Sequence, residues 1–235
     1  MLLLTIGFCI GSFLGALTYR YPRRASVLTG RSKCDSCGKQ IRWFDNIPLL
    51  SYMLLLGRCR DCKKKISVRN PLIETVTALA FLLLGLNCFY LIIFCILFSI
   101  FIIDLEHKII PDDFTFSGIL VTFIFLTFTN GQIVLSSLFG GLIGATFLLL
   151  IYLGTKGRGM GLGDVKFAVL GGLLVGINFI FIWLLVAFLT GAVVGIILIL
   201  GKVSKLKDEI AFGPFLVLAI PVTLTWGQKI LDVIR

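Results

Sequence analysis

Charge is scarce in this chain. Only 14% of its 235 residues are Asp, Glu, Lys or Arg, against 58% hydrophobic. That balance excludes a soluble domain, because a body of this size has no interior large enough for so much apolar surface. Histidine occurs once, at His107, and a lone histidine at an interface is read as a solvated side chain without a role. No glycine-rich loop follows a strand, so nothing marks a nucleotide-type site.

What is present is a succession of apolar runs. Crossing about 30 Å of hydrocarbon takes roughly 20 apolar residues in a helix, and eight such stretches are read at 2–18, 72–86, 88–103, 114–129, 133–153, 165–178, 179–200 and 212–228. The second and sixth lie near the lower limit of length. The expected fold class is an all-α polytopic membrane protein. A cleaved signal peptide is the alternative for residues 1–18, but the run lacks a basic start and leads into Tyr19-Arg20-Tyr21-Pro22-Arg23-Arg24, which fits an uncleaved anchor.

Orientation follows from where the few charges lie, since cytoplasmic loops carry the excess of Lys and Arg. Between Arg20 and Arg69 there are 13 Lys and Arg against Asp35, Asp45 and Asp61, a surplus equal to the +10 net charge of the whole chain. That segment is expected inside. The breaks at 104–113, 154–164 and 201–211, with Lys108, Lys156, Arg158, Lys202, Lys205 and Lys207, then face the same way. The opposite breaks, near Asn87, Asn130 to Gln132 and Asn178, carry no charge, and both termini are expected outside. The chain divides into a first membrane helix (1–19), a cytoplasmic loop domain (20–71) and a membrane domain (72–235).

The loop domain contains Cys34-Asp35-Ser36-Cys37 and Cys59-Arg60-Asp61-Cys62. Each CxxC pair lets two thiolates point at one ion from a tight knuckle, and two knuckles complete a closed tetrahedral site of the structural zinc type. Two disulfides are the alternative, favoured only if the loop lay outside the reducing compartment. Such a metal holds the loop together and performs no chemistry. Basic side chains beside the membrane suit anionic lipid better than nucleic acid. Cys9, Cys88 and Cys95 lie in apolar runs and are read as core or lipid-facing residues.

Carboxylates at the edges of apolar helices are costly and raise a functional hypothesis. One such place is Ile103-Asp104-Leu105-Glu106-His107-Lys108-Ile109-Ile110-Pro111-Asp112-Asp113. The other is Gly161-Leu162-Gly163-Asp164-Val165-Lys166. Two carboxyl groups brought close cannot both ionise readily, so Asp104 and Asp164 would supply an acid and a base in one site. Gly161 and Gly163 would let a peptide backbone approach, and Lys166 would support the loop. Simple interfacial residues, with Asp164 capping a helix, remain the alternative.

These motifs resemble the bacterial type IV prepilin leader peptidases, membrane aspartic peptidases with a GxGD signature. The resemblance extends through Gly11-Ser12-Phe13-Leu14, Trp43-Phe44-Asp45-Asn46-Ile47-Pro48, Arg69-Asn70-Pro71-Leu72-Ile73-Glu74, Asp104 with Ile110-Pro111-Asp112, and Gly161-Leu162-Gly163-Asp164-Val165-Lys166. It implies that Asp104 and Asp164 are the catalytic pair. The implied reaction removes a short basic leader from prepilins or pseudopilins at the cytoplasmic face of the bacterial plasma membrane. It also implies methylation of the new N-terminus with S-adenosylmethionine, for which the loop and Glu74 are the suspected region. Gly15 departs from the asparagine often found there in the family.

Because both loop and leader are basic, Glu106, Asp112 and Asp113 are expected to receive the leader. Two other classes are weighed. An ion-coupled transporter would use paired carboxylates, but these lie at one face and no interrupted helices repeat across the halves. A zinc-bearing membrane adaptor would tolerate loss of both aspartates.

Overall fold

The computed structural model describes residues 1–26, 32–129, 131–202 and 210–234. Arg31, Lys205 and Lys207 of the charge pattern, and Asn130, lie outside them. The described residues are helical with no extended strand; only two isolated antiparallel bridges occur, Lys33 with Gln40 and Arg58 with Lys65. The helices are α1 (Leu2–Arg20), α2 (Leu50–Leu54), α3 (Arg69–Leu84), α4 (Cys88–His107), α5 (Asp112–Thr129), α6 (Gly131–Gly154), α7 (Leu162–Val175), α8 (Ile180–Leu200) and α9 (Gly213–Ile234). Every apolar run read from the sequence forms one helix.

Among the described residues six of these are long and apolar enough to cross a membrane: α1 with the turn after it, α4, α5, α6, α8 and α9. The protein is thus a multi-pass membrane protein. The second and sixth runs make helices of 16 and 14 residues, about 24 and 21 Å long at 1.5 Å per residue, short of the hydrocarbon thickness. The count of eight spans therefore stays an expectation for α3 and α7.

The chain forms two compact units, Met1–Cys95 and Ile96–Arg235, divided within α4. In the first, α3 lies along α1 because small residues let the backbones meet. A methyl group on Gly7 would sit 2.6 Å from the Ala78 Cα, and one on Gly11 2.7 Å from the Glu74 Cα. Polar groups stitch the same contact. Arg69 donates to the Gly15 carbonyl at 3.0 Å and to the Thr18 hydroxyl at 2.9 Å. The departure at Gly15 thus falls where a carbonyl receives a guanidinium.

In the second unit α7 is the core. Asp164, Phe167, Ala168, Leu170, Gly171, Gly172, Leu173 and Val175 are all buried, and a narrow stripe, Leu162, Val165, Lys166 and Val169, is left less covered. It packs against α5, α6 and α9. Gly140 of α6 and Gly172 of α7 face each other directly, and a methyl on Gly140 would meet the Gly172 carbonyl oxygen at 2.7 Å. Trp183 of α8, fully buried, donates its indole N–H to the Leu216 carbonyl of α9 at 2.9 Å. A short helix buried over most of its surface does not need to span lipid by itself.

Candidate functional site

Asp104 stands in the last turn of α4 and Asp164 in the first turn of α7, both buried. α4 ends because Lys108 turns left-handed at φ 55° just ahead of Pro111. α7 begins at Gly161, whose extended backbone serves as N-cap, and the Gly161 N–H donates to Asp164 Oδ2 at 3.1 Å. That is the reach-back half of a capping box, and it places an anion where the helix dipole is positive. So Asp164 does cap its helix, through one oxygen.

The two carboxyl groups are near enough to interact electrostatically, although 60 residues separate them. Asp104 Oδ2 is buried without a hydrogen-bond partner among the described residues. The Gly213 backbone lies directly against it: a methyl on Gly213 would stand 2.5 Å from that oxygen. Ile110 closes the arrangement, since a methyl on Gly213 would meet its Cδ1 at 3.1 Å and one on Gly163 its Cβ at 3.0 Å. The loop 108–111 is thus wedged between the starts of α7 and α9. Buried polar atoms normally find partners, so an orphaned carboxylate oxygen beside a second carboxylate is a place built to meet something else.

The remaining acidic and basic residues sort differently. Lys166 reaches Asp112 with Nζ 2.7 and 2.8 Å from its two oxygens, joining the N-terminal parts of α7 and α5. Asp112 therefore already holds a cation. Asp113 shares the first turn of α5, and Glu106 is exposed at the end of α4. Gly213 and Ile110 were not read from the sequence as site residues. The Phe212-Gly213-Pro214 triplet at the start of an apolar run was a signal, since Gly before Pro punctuates a chain, but it does not say what the glycine faces.

The four-cysteine module is built by repetition. Cys34 N–H bonds the Lys39 carbonyl and Gly38 N–H the Cys34 carbonyl; 25 residues on, Cys59 N–H bonds the Lys64 carbonyl and Lys63 N–H the Cys59 carbonyl. Gly38 at φ 70° and Lys63 at φ 57° occupy the same left-handed turn. The two knuckles present Cys34, Cys37, Cys59 and Cys62 with all four Sγ atoms within 4.8 Å of one another, and Cys34 and Cys62 3.9 Å apart. Ligands about 2.3 Å from a tetrahedral ion stand roughly 3.8 Å apart, so the set fits one metal ion. All four thiols are free. The thiols titrate together: backbone N–H groups of Cys37 and Ser36 push Cys34 down to about 7, while Cys37, despite the backbone N–H of Lys39, is pushed up to about 11 by burial and the neighbouring Cys34 and Cys62.

Glu74, suspected of a part in methyl transfer, has a structural task. Buried in α3, it accepts the Leu49 N–H at 2.7 Å, at a left-handed residue (φ 56°) that starts α2. Arg60 grips Asp45 with two guanidinium nitrogens, at 2.7 and 2.9 Å, and draws its carboxyl below the usual range.

A multi-pass helical membrane protein with a buried carboxylate pair at two helix ends, and a four-thiol module between its first helices, is the class these features define. Residues 5–88 match the bacterial peptidase A24 N-terminal domain, and residues 91–196 match the type IV leader peptidase family. The chain belongs to that family. A prepilin leader peptidase/N-methyltransferase of Myxococcus xanthus (strain DK1622) is 34% identical over 242 residues, covering 95% of this chain and 70% of the relative. Those of Pseudomonas putida and Aeromonas salmonicida (strain A449) are 30% and 31% identical, covering 96% and 94% of this chain and 90% and 88% of theirs. No solved structure matches it significantly.

Proposed function

We propose that the protein removes the basic leader from type IV prepilins or pseudopilins, with Asp104 and Asp164 as the catalytic pair, and that it methylates the new N-terminus. The observation that carries the cleavage reading is the pairing of two buried carboxyl groups, one with an unpartnered oxygen, at the ends of two helices. Prepilin processing and methylation come from the relatives' names and from the family.

In this mechanism one carboxyl group of the pair is protonated and the other ionised. The ionised one takes a proton from water as the water oxygen attacks the scissile carbonyl carbon. The protonated one gives its proton to the carbonyl oxygen. Collapse of the tetrahedral intermediate breaks the C–N bond: the proton taken from water passes to the leaving amine, and one hydroxyl proton of the intermediate returns to the other carboxylate, restoring the pair. Gly161 keeps a side chain away from the pair, so a peptide backbone can approach, while Gly163 and Gly213 let Ile110 and the start of α9 pack close beside it. Ile110 holds the loop over it.

The metal is proposed to be zinc, held by Cys34, Cys37, Cys59 and Cys62 in a closed site that shapes the loop and leaves no position for substrate. S-adenosylmethionine is the methyl donor in this reading. Residues 1–19 serve as the first span, 20–71 as the zinc module and 72–235 as the peptidase domain, in the plasma membrane with the module and the aspartates inside and both termini outside. Glu106, Asp112 and Asp113 remain the acidic residues nearest Asp104 in sequence for receiving a leader, with Asp112 doing so only in competition with Lys166.

The test is cleavage of a prepilin-like substrate in membranes by wild type, Asp104→Asn and Asp164→Asn, with protein amounts matched and products read by mass. Loss of cleavage in both variants supports the pair, and an added mass of about 14 Da on the wild-type product supports methyl transfer. Cleavage by either variant at the wild-type rate removes that aspartate from the mechanism.

A further inference from the structure

The short helix α2 is inverted. Its polar residue points inward: Ser51 is buried and donates its hydroxyl to the Phe44 carbonyl at 2.7 Å. Its apolar residues point outward. Leu50, Met53 and Leu54, spaced i, i+3 and i+4 so that they share one face, are 52%, 62% and 75% exposed, and Leu56 just beyond is 85% exposed. The orientation is held, because Glu74 receives the Leu49 N–H at one end of α2 and Ser51 is bonded on its inner side. A helix with this much outward leucine and methionine is a docking surface and not a solvent face.

Charge says what docks. Exposed Arg58, Lys63, Lys64 and Lys65 follow α2 directly, and exposed Arg42 precedes it. Two of the module's three aspartates are committed inside it, Asp45 to Arg60 and Asp61 to Lys39, so the basic surplus is turned outward. Both ends of the module leave from apolar helices, α1 at Arg20 and α3 at Arg69, which keeps it beside the bilayer. An apolar face rimmed by Lys and Arg is the composition of a helix lying in an anionic membrane interface.

We propose that α2 is an interfacial anchor: Leu50, Met53, Leu54 and Leu56 enter the bilayer surface while Arg42, Arg58 and Lys63 to Lys65 meet anionic headgroups, fixing the metal module against the membrane. This does not depend on which residues carry catalysis.

The experiment is amide hydrogen exchange, read by mass, on the full-length metal-loaded protein in nanodiscs of phosphatidylcholine alone or with 30% phosphatidylglycerol. Wild type is compared with the variant Leu50→Gln/Met53→Gln/Leu54→Gln, and metal content per chain confirms that the variant module is folded. A five-residue helix exchanges quickly in water, so exchange over residues 50–56 is expected to slow about threefold or more when phosphatidylglycerol is present, and to return to the fast rate in the variant. Equal exchange in wild type and variant overturns the proposal, as does equal exchange in the two lipids. Slowing that appears only with a prepilin substrate or with rising protein concentration also overturns it, and assigns the face to a protein partner or to a second copy.

Discussion

Gly213 leaves no room beside Asp104. A methyl group there would stand 2.5 Å from Oδ2 and 3.1 Å from Ile110 Cδ1, closer than nonbonded atoms rest, so the carboxyl group or the loop has to move. Such overpacking costs about 1–3 kcal/mol, and a shift of the pair costs more in rate than in stability because proton transfer needs hydrogen-bond reach. Gly213→Ala is therefore expected to lower cleavage at least about tenfold while the protein still accumulates in membranes. Gly154, whose added methyl meets nothing within 4 Å, supplies the control: Gly154→Ala should cleave as wild type does. For the aspartates themselves, Asp104→Asn and Asp164→Asn are each expected to lower the single-turnover rate by about 10²–10⁴ or more. Losses in all three site variants at matched protein amounts, and none in the control, would tie Gly213 to the pair.

At the scale of elements, the ion pair of Lys166 and Asp112 bridges the N-terminal parts of α7 and α5, with side chains 43% and 50% exposed. A pair so exposed contributes little to stability, about 0–1 kcal/mol. Its consequence lies in alignment, because α5 follows directly on the loop that carries Ile110 to the site. Asp112→Asn and Lys166→Gln should each slow cleavage to a similar degree, and the exchanged pair Asp112→Lys/Lys166→Asp should recover most of the loss, as a coupled pair does in a double-mutant cycle. If Asp112 instead receives the leader, its loss raises KM for basic leaders and the exchanged pair recovers nothing. The elements themselves were legible because lipid imposes a length and a composition that apolar runs satisfy or fail: all eight runs are helices, with ends within a few residues except that α9 runs on from 228 to Ile234. What stayed hidden were contacts between elements. That Lys166 turns from Asp164 to Asp112, that Gly213 faces Asp104, and that Glu74 holds Leu49 depend on how helices distant in sequence are packed, and no local pattern encodes that. The cysteine module was readable in advance because a metal site constrains spacing within one short loop, and α2 was overlooked because five residues are too few to show a period.

At the scale of the whole molecule, the thiols and the carboxyl pair fall in different compact units of the chain. The thiol module belongs to the compact unit Met1–Cys95, while Asp104 and Asp164 belong to Ile96–Arg235. A four-thiolate site is closed, so a metal bound there would hold the knuckles and leave no position for a reacting atom. Apart from α2 and a single turn at Trp43–Asn46, residues 32–66 have no helix of their own; a few hydrogen bonds shape them, and a metal at the four thiols would add the main cross-link. Removal of the metal by a chelator should therefore expose Cys34, Cys37, Cys59 and Cys62 to a maleimide reagent, adding four modified thiols per chain, while helicity by circular dichroism changes little. Cleavage measured on the same sample should stay within about threefold of the metal-loaded protein, since the carboxylates and Gly213 sit in the other unit. A fall in cleavage that follows metal loss step for step, with helicity unchanged, would instead give the module a direct part in presenting the leader to the aspartates.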